Sequence, residues 1–328
     1  MSNSTYRAEV VELNLEKHPN ADTLSLMRVG NYTVVVKTDV WKDRKKAVYI
    51  QPDSVVDTDR PEFSWVKKKD RFQRVTAKRF CGIVSYGFLA ECPEDLNVGD
   101  DAAERLGVTH WNPPEETATD GQSDKAPPGV WEKYDIESAR KTAYERLFKD
   151  GEPVYVTEKI HGAFARYVYI KDEDKLYVGT KNRWVKDEPS CIWWQALRNT
   201  PSINDFCRNN PGVVLNGEVY GHVKGFWYGK QKKCKFAAFD IRCGDRWFSP
   251  ESFLAECKLY DVPTVPVIGE AMPFNFEEIE KLTNGPSLVP DSSNIREGVV
   301  IKPLVERYVP EIGRLFLKLV GSDYLLKS

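Results

Sequence analysis

Val156-Thr157-Glu158-Lys159-Ile160-His161-Gly162 places a lysine after a short apolar run and three residues ahead of a glycine. Lys-x-x-Gly occurs often by chance, so its meaning depends on the residues downstream of it. Four further stretches come in order: Leu215-Asn216-Gly217-Glu218-Val219-Tyr220-Gly221, Phe236-Ala237-Ala238-Phe239-Asp240-Ile241, Arg296-Glu297-Gly298-Val299-Val300-Ile301-Lys302 and Leu315-Phe316-Leu317-Lys318-Leu319. Each is an apolar, strand-like run carrying a charged residue. The lysine is followed by strand-borne carboxylates and then by further lysines.

The bulk numbers set the frame. At 328 residues the chain has room for two domains of ordinary size. Hydrophobic residues make up 41% and charged residues 29%, which suits folded domains rather than disorder. The sequence has no 18-residue apolar run of the kind that spans a membrane, and Met1-Ser2-Asn3-Ser4-Thr5 does not open a signal peptide. The seven cysteines at 81, 92, 191, 207, 234, 243 and 257 are scattered, without Cys-x-x-Cys, so no zinc site is expected. They read as reduced thiols of a cytoplasmic protein. A formal net charge of −2 argues against coating nucleic acid by bulk electrostatics. Basic residues are instead concentrated locally. One run is Lys67-Lys68-Lys69-Asp70-Arg71-Phe72-Gln73-Arg74, extended by Lys78 and Arg79. The other is the acid-free stretch between Glu218 and Asp240, with Lys224, Lys230, Lys232, Lys233 and Lys235.

Residues 1–106 read as short strands at Tyr6 to Leu15, Thr23 to Val29, Thr33 to Lys37, Ala47 to Ile50 and Gly82 to Ala90. Five short strands in that length suit a small barrel of OB type. Residues 107–130, rich in Pro, Gly, Asp and Thr, read as a linker. Residues 131–328 alternate strands and helices. Helices are expected at Ile136 to Phe148 with Asp135 as cap, Ile192 to Leu197, Ser202 to Asn209, Ser249 to Leu259 and Phe276 to Leu282. Strands are expected at Val154 to Thr157, Phe164 to Ile170, Val213 to Tyr220, Lys235 to Ile241, Gly298 to Pro303 and Arg314 to Leu319. The class is α+β, with antiparallel sheets and flanking helices.

The order of the five charged stretches resembles motifs I, III, IIIa, IV and V of the covalent nucleotidyltransferases, the polynucleotide ligases and mRNA capping enzymes. Lys17-His18-Pro19-Asn20-Ala21-Asp22-Thr23-Leu24-Ser25 and Arg79-Phe80-Cys81-Gly82-Ile83-Val84-Ser85-Tyr86-Gly87 resemble tRNA-binding OB modules. An OB domain ahead of the transferase, with Lys-Ile-His-Gly, is similar to one small branch of ATP-dependent RNA ligases. That resemblance implies Lys159 as nucleophile toward the α-phosphorus of ATP, with Lys318 and Glu297 as its catalytic partners. It further implies that Glu158, His161, Gly162, Glu218, Phe239 and Lys302 bind the nucleotide, together with the basic residue of motif Ia, Lys181 or Arg183. Glu297 and Glu218 would hold a magnesium or manganese ion, and Lys302 and Lys318 would neutralise phosphate. The implied substrates are RNA ends, a 3′-hydroxyl and a 5′-phosphate, possibly in a nicked duplex, in RNA repair. No obligate protein partner is implied. A DNA nick ligase, a capping guanylyltransferase and an inactive RNA-binding protein are the alternatives.

Two positions depart from the pattern. His161 stands where most members have Asp. Phe316 and Val320 flank Lys318 where many have a second lysine, and Arg314 or Lys302 is the candidate substitute. A free lysine, with a pKa of about 10.4, is protonated at neutral pH. A nearby cation such as Lys318, a metal or partial burial is expected to lower that value. Phe236 and Phe239 lie on opposite faces of one strand, so one belongs to the core. Phe239, next to Asp240-Ile241, is the expected adenine-stacking residue.

Overall fold

The computed structural model describes residues 6–66, 70–111, 123–129, 131, 134–223, 226–229 and 233–327. Lys67, Lys68, Lys69, Lys224, Lys230 and Lys232 of the two basic runs, and 112–122 and 130 of the expected linker, lie outside them. The chain divides into two compact units, one of 1–115 with 140–145 and 325–328, the other of 116–139 with 146–324.

In the first unit the strand Lys46–Ile50 lies between Val10–Glu12 and Phe88–Ala90. Its apolar run buries both faces. Ala47 and Tyr49 join a core with Val34, Val36 and Trp41, while Val48 and Ile50 join another with Val10, Phe63 and Leu106. A second sheet orders Leu15–Lys17, Leu24–Val29 and Tyr32–Lys37, and a third orders Thr109–His110, Ser54–Asp57 and Phe72–Arg74. Lys78–Phe80 and Ile83–Ser85 form a hairpin. The expected strand between Tyr6 and Leu15 is shorter than read, and the pairing of Ser54–Asp57 with Phe72–Arg74 was not legible in the pattern. Gly30 turns the hairpin at φ +53°, and a Cβ there would meet the Arg140 carbonyl oxygen at 2.8 Å. No other residue fits both conditions.

The second unit carries two sheets. The larger orders Ser123–Asp124, Trp184–Val185, Lys175–Gly179, Ala163–Ile170, Val213–Tyr220, Lys235–Cys243 and Arg246–Trp247, all antiparallel. Its strands alternate. Ala165, Tyr167, Leu215, Phe236 and Ile241 face a core built with Trp193, Ala196, Ile203, Phe206 and Phe253 of the helices Ile192–Asn199, Ser202–Asn209 and Pro250–Leu259. Ser249 caps the last of these by accepting from the Ser252 N–H. Gly217 belongs to that face because the Phe236 ring fills its Cβ position, at 2.3 Å. Phe164, Arg166, Asn216 and Glu218, of opposite parity, point away from the helices.

The smaller sheet orders Glu137–Ser138, Leu317–Val320, Gly298–Pro303, Pro153–Lys159 and Val267–Pro273. The α+β class with antiparallel sheets therefore holds. One expected helix does not form. Where Ile136 to Phe148 was expected to be helical, Glu137–Ser138 pairs parallel with Leu317 and Lys318, and only a 3-10 turn follows at Thr142–Tyr144. Sheet pairing satisfies the Ala139 N–H through the Lys318 carbonyl, and tertiary partners override the weak local preference. Among the described residues no helix is long and apolar enough to cross a membrane.

Candidate active site

Lys159 ends the strand Pro153–Lys159, opposite Gly298. The registers Thr157↔Val300 and Val300↔Lys318 place Lys318 on the sheet face that carries Lys159. The Lys159 ammonium donates to Glu297 Oε1 at 2.6 Å. Burial pulls the Lys159 pKa down, but the charges of Glu297 and Glu218 outweigh it and leave the group above its usual value. This corrects the expectation that Lys318 or partial burial lowers it. The resting lysine is a clamped ammonium, and burial favours the neutral amine only when the carboxylates are otherwise engaged.

His161 follows Ile160, which is buried with Tyr228. Its backbone N–H donates to the Tyr228 hydroxyl at 2.9 Å. Its Nδ1 lies at hydrogen-bond distance, 2.5 Å, from the Tyr324 hydroxyl and 3.9 Å from Glu297 Oε2. Gly162 is required by protein, not only by a ligand. A Cβ there would lie 2.2 Å from the Val219 carbonyl oxygen and 2.9 Å from Glu218 Cγ. The glycine thus lets the Lys159 loop lie against the strand that carries Glu218. Glu218 sits opposite Phe164 and Ala237, half-buried, on the face away from the helices.

The two phenylalanines separate as their parity requires. Phe236 is buried in the helix-packed core, edge-on to Tyr167. Phe239 is the extra residue where the register shifts between Asn216 and Gly217. Such a bulge re-aims a side chain. Its ring stands 5.1 Å from Tyr134 and 5.9 Å from Phe164.

Other candidates are engaged elsewhere. Glu158, on the opposite sheet face from Lys159, is 1% exposed and accepts from the Ser287 hydroxyl at 2.5 Å and the Leu288 N–H at 2.7 Å. Burial lifts its pKa although both hydrogen bonds and Arg296 oppose the rise. The Lys302 ammonium donates to Asp240 Oδ2 at 2.9 Å and to the Phe239 carbonyl at 2.7 Å. Arg314 reaches both Asp240 oxygens, at 2.6 and 3.0 Å, and pairs with Glu306. Both candidate substitutes for the second motif lysine are therefore committed to Asp240. Phe316 lies beneath Arg314 and beside Tyr134. Lys181 pairs with Asp135 at the surface, and the Arg183 backbone N–H donates to Thr180 Oγ1.

Asp240 and Tyr134 escaped assignment. Asp240 is fully buried, and its pKa is held down because Lys302 and Arg314 outweigh the cost of burial. Tyr134 donates to it at 2.7 Å. An aspartate in an apolar strand must find partners, so Asp240 was findable in principle. Tyr134 gave no such signal. Among the described residues no three or more His, Cys, Asp or Glu converge as a ready-made metal cage. Two carboxylates at one lysine still suit a hydrated magnesium-type ion, which keeps most of its waters.

Two sheets with a strand-end lysine beside carboxylates fit the class of covalent nucleotidyltransferases. Residues 152–320 match the family model described as RNA ligase, so the chain belongs to the RNA ligase family. This selects the RNA ligases over the DNA ligases and capping enzymes. No curated protein sequence matches it. Among solved structures it is similar to Naegleria gruberi RNA ligase variants. One is an apo form, at TM-score 0.79 and 25% identity. Another carries ATP and Mn, at 0.79 and 25%, and a third AMP and Mn, at 0.79 and 26%. Each match covers 98% of both chains.

Proposed function

We propose that this enzyme is an ATP-dependent RNA ligase in which Lys159 carries AMP between ATP and RNA. The observation that carries this reading is the Lys159 ammonium held 2.6 Å from Glu297 at a strand end, within the field of Glu218. In the first step the neutral Lys159 amine attacks the α-phosphorus. A P–N bond forms, the α–β P–O bond breaks, and pyrophosphate leaves. AMP then passes to a 5′-phosphate RNA end, and a 3′-hydroxyl displaces it to close the phosphodiester. The ATP and Mn bound by the Naegleria gruberi neighbours support this choice of nucleotide and metal type.

Glu297 and Glu218 are the residues that would hold a hydrated magnesium or manganese ion, which would supply charge neutralisation at the phosphates. Phe239 is read as the residue that stacks on adenine, and Lys318, on the Lys159 face, as one that meets phosphate charge. His161 would bond a ribose hydroxyl or a metal-bound water. Lys302 supports the site by fixing Asp240 and the Phe239 carbonyl. Residues 1–106 are read as an OB-type domain that assists ATP use or RNA placement, 107–130 as the linker and 131–328 as the transferase. RNA repair in the cytoplasm is the proposed setting.

Labelled ATP and GTP, offered with magnesium and followed by denaturation, test the nucleotide. Label retained from ATP alone supports the reading. Sealing of a nick whose 3′-terminal nucleotides are ribo or deoxy tests the substrate. Equal sealing of the two would remove the RNA preference.

A further inference from the structure

His161 is a departure of this chain from the family pattern, and the two tyrosines that bond it, Tyr228 and Tyr324, lie outside all five motifs. Ile160 and Tyr228 fix its backbone, through a buried cluster and the 2.9 Å bond from the His161 N–H to the Tyr228 hydroxyl. The side chain then retains only its own two torsions. Tyr324 meets the ring from a different part of the unit. Its hydroxyl reaches Nδ1, and its ring centroid lies 5.8 Å from the imidazole.

Tyr324 is itself held in place. It belongs to the short helix Ser322–Leu325, directly after the strand Leu317–Val320. Asn284 Oδ1 accepts from the Asp323 N–H at 3.0 Å and lies 3.4 Å from the Ser322 hydroxyl. Gly321 joins strand to helix. Its N–H donates to the Glu297 carbonyl at 2.9 Å, and a Cβ there would lie 2.6 Å from the Thr283 carbonyl oxygen. The segment that presents Tyr324 is therefore tied to the backbone of Glu297, and Glu297 in turn clamps Lys159.

We infer that Tyr324 is a positioning residue for His161, orienting its imidazole beside the Lys159–Glu297 pair. The inference rests on the reading of Lys159 as the AMP carrier. With the ring neutral, the tyrosine hydroxyl donates to Nδ1 and the ring proton sits on Nε2. The imidazole then offers the nucleotide a fixed N–H donor, where an aspartate would offer an acceptor. A histidine in this place needs an orienting partner because its two nitrogens differ in role. A carboxylate has two equivalent oxygens and needs none.

The test is a double-mutant cycle on single-turnover formation of lysyl-AMP, with full-length wild type, Tyr324→Phe, His161→Asn and the double variant. Phe keeps the ring packing, and a thermal melt checks that each variant is folded. Tyr324→Phe should slow adenylylation about fivefold, the effect of one lost hydrogen bond, at saturating ATP. In the His161→Asn background the same change should cost nothing further. Equal losses in both backgrounds would make Tyr324 a packing residue only. A wild-type rate in Tyr324→Phe would also overturn the inference while leaving Lys159 as the carrier. Should Tyr324→Phe not fold, Asn284→Ala replaces it in the same cycle, with the same outcomes expected. A wild-type protein that retains no AMP would overturn the Lys159 reading, and this one with it.

Discussion

Lys159 and Lys302 lie on one face of the same sheet, each within hydrogen-bond reach of a carboxylate, at 2.6 and 2.9 Å. Their surroundings differ in two respects. The Lys159 and Glu297 side chains are 24% and 12% exposed, whereas those of Lys302 and Asp240 are 7% and 1% exposed. At Lys159 two carboxylates, Glu297 and Glu218, act on the one ammonium and keep it charged. Around Asp240 two cations, Lys302 and Arg314, face two carboxylates, Asp240 and Glu306. The first group is partly open to solvent, so an incoming cation can reach its carboxylates and release the lysine. The second is balanced and closed. Chemically similar pairs thus differ in what they allow: the first can exchange partners, while the second holds Asp240 and the Phe239 carbonyl in place.

The contrast is most exposed to failure in stability. Asp240→Ala would strand two buried cations and should lower the unfolding free energy by about 3–5 kcal/mol, measured by urea denaturation. Glu297→Ala should cost less than Asp240→Ala, because its pair is 24% and 12% exposed against 7% and 1%. A comparable loss in Glu297→Ala would erase the distinction. Activity should show the reverse ranking. Glu297→Gln, which keeps shape but not charge, should slow lysyl-AMP formation by about a hundredfold or more. Full activity in the Gln variant would mean that Glu297 acts through shape or neutral hydrogen bonding.

Acid sharpens the same comparison. The Asp240 carboxyl is held below its ordinary value in the fold. Its contribution to stability is therefore complete above the unfolded pKa of about 3.9 and is lost as pH falls through the lower folded value. The stability of Asp240→Asn, lower at neutral pH, should fall less steeply below about pH 4 than that of the wild type. Parallel curves would show that Asp240 is not held ionised by its partners. The smallest effect should come from Lys181→Ala. Its pair with Asp135 is at the surface, and such pairs contribute little. A change in adenylylation beyond about threefold, more than a surface pair should give, would instead draw Lys181 into the nucleotide site.

These differences track what a sequence can carry. Lys159, Glu218, Glu297 and Phe239 could be singled out as candidates because each sits in an apolar run whose order and neighbours repeat a chemical pattern. The helices Ile192–Asn199 and Ser202–Asn209 followed from local periodicity, and Ser249 and Asn275 cap Pro250–Leu259 and Phe276–Lys281 as their side chains allow. The clamping of Lys159, the commitment of Lys302 and Arg314 to Asp240, and the placing of Tyr134 and Tyr324 depend on partners far along the chain. No local propensity encodes such contacts. The helix expected at Ile136 to Phe148 failed for the same reason, since the remote strand Leu317–Val320 claims Glu137 and Ser138. Gly162 was recognised, but the Val219 carbonyl that requires it was not visible without the fold.

The role of Lys159 as the residue that carries AMP is the point on which the rest depends. It is tested most directly by peptide mapping with mass spectrometry after incubation with ATP and magnesium and denaturation at alkaline pH, where a phosphoramidate survives. One adenylylated peptide is expected, modified at Lys159, and it should vanish in Lys159→Ala together with RNA sealing. AMP on another residue, or an adduct of undiminished yield in Lys159→Ala, would contradict that role.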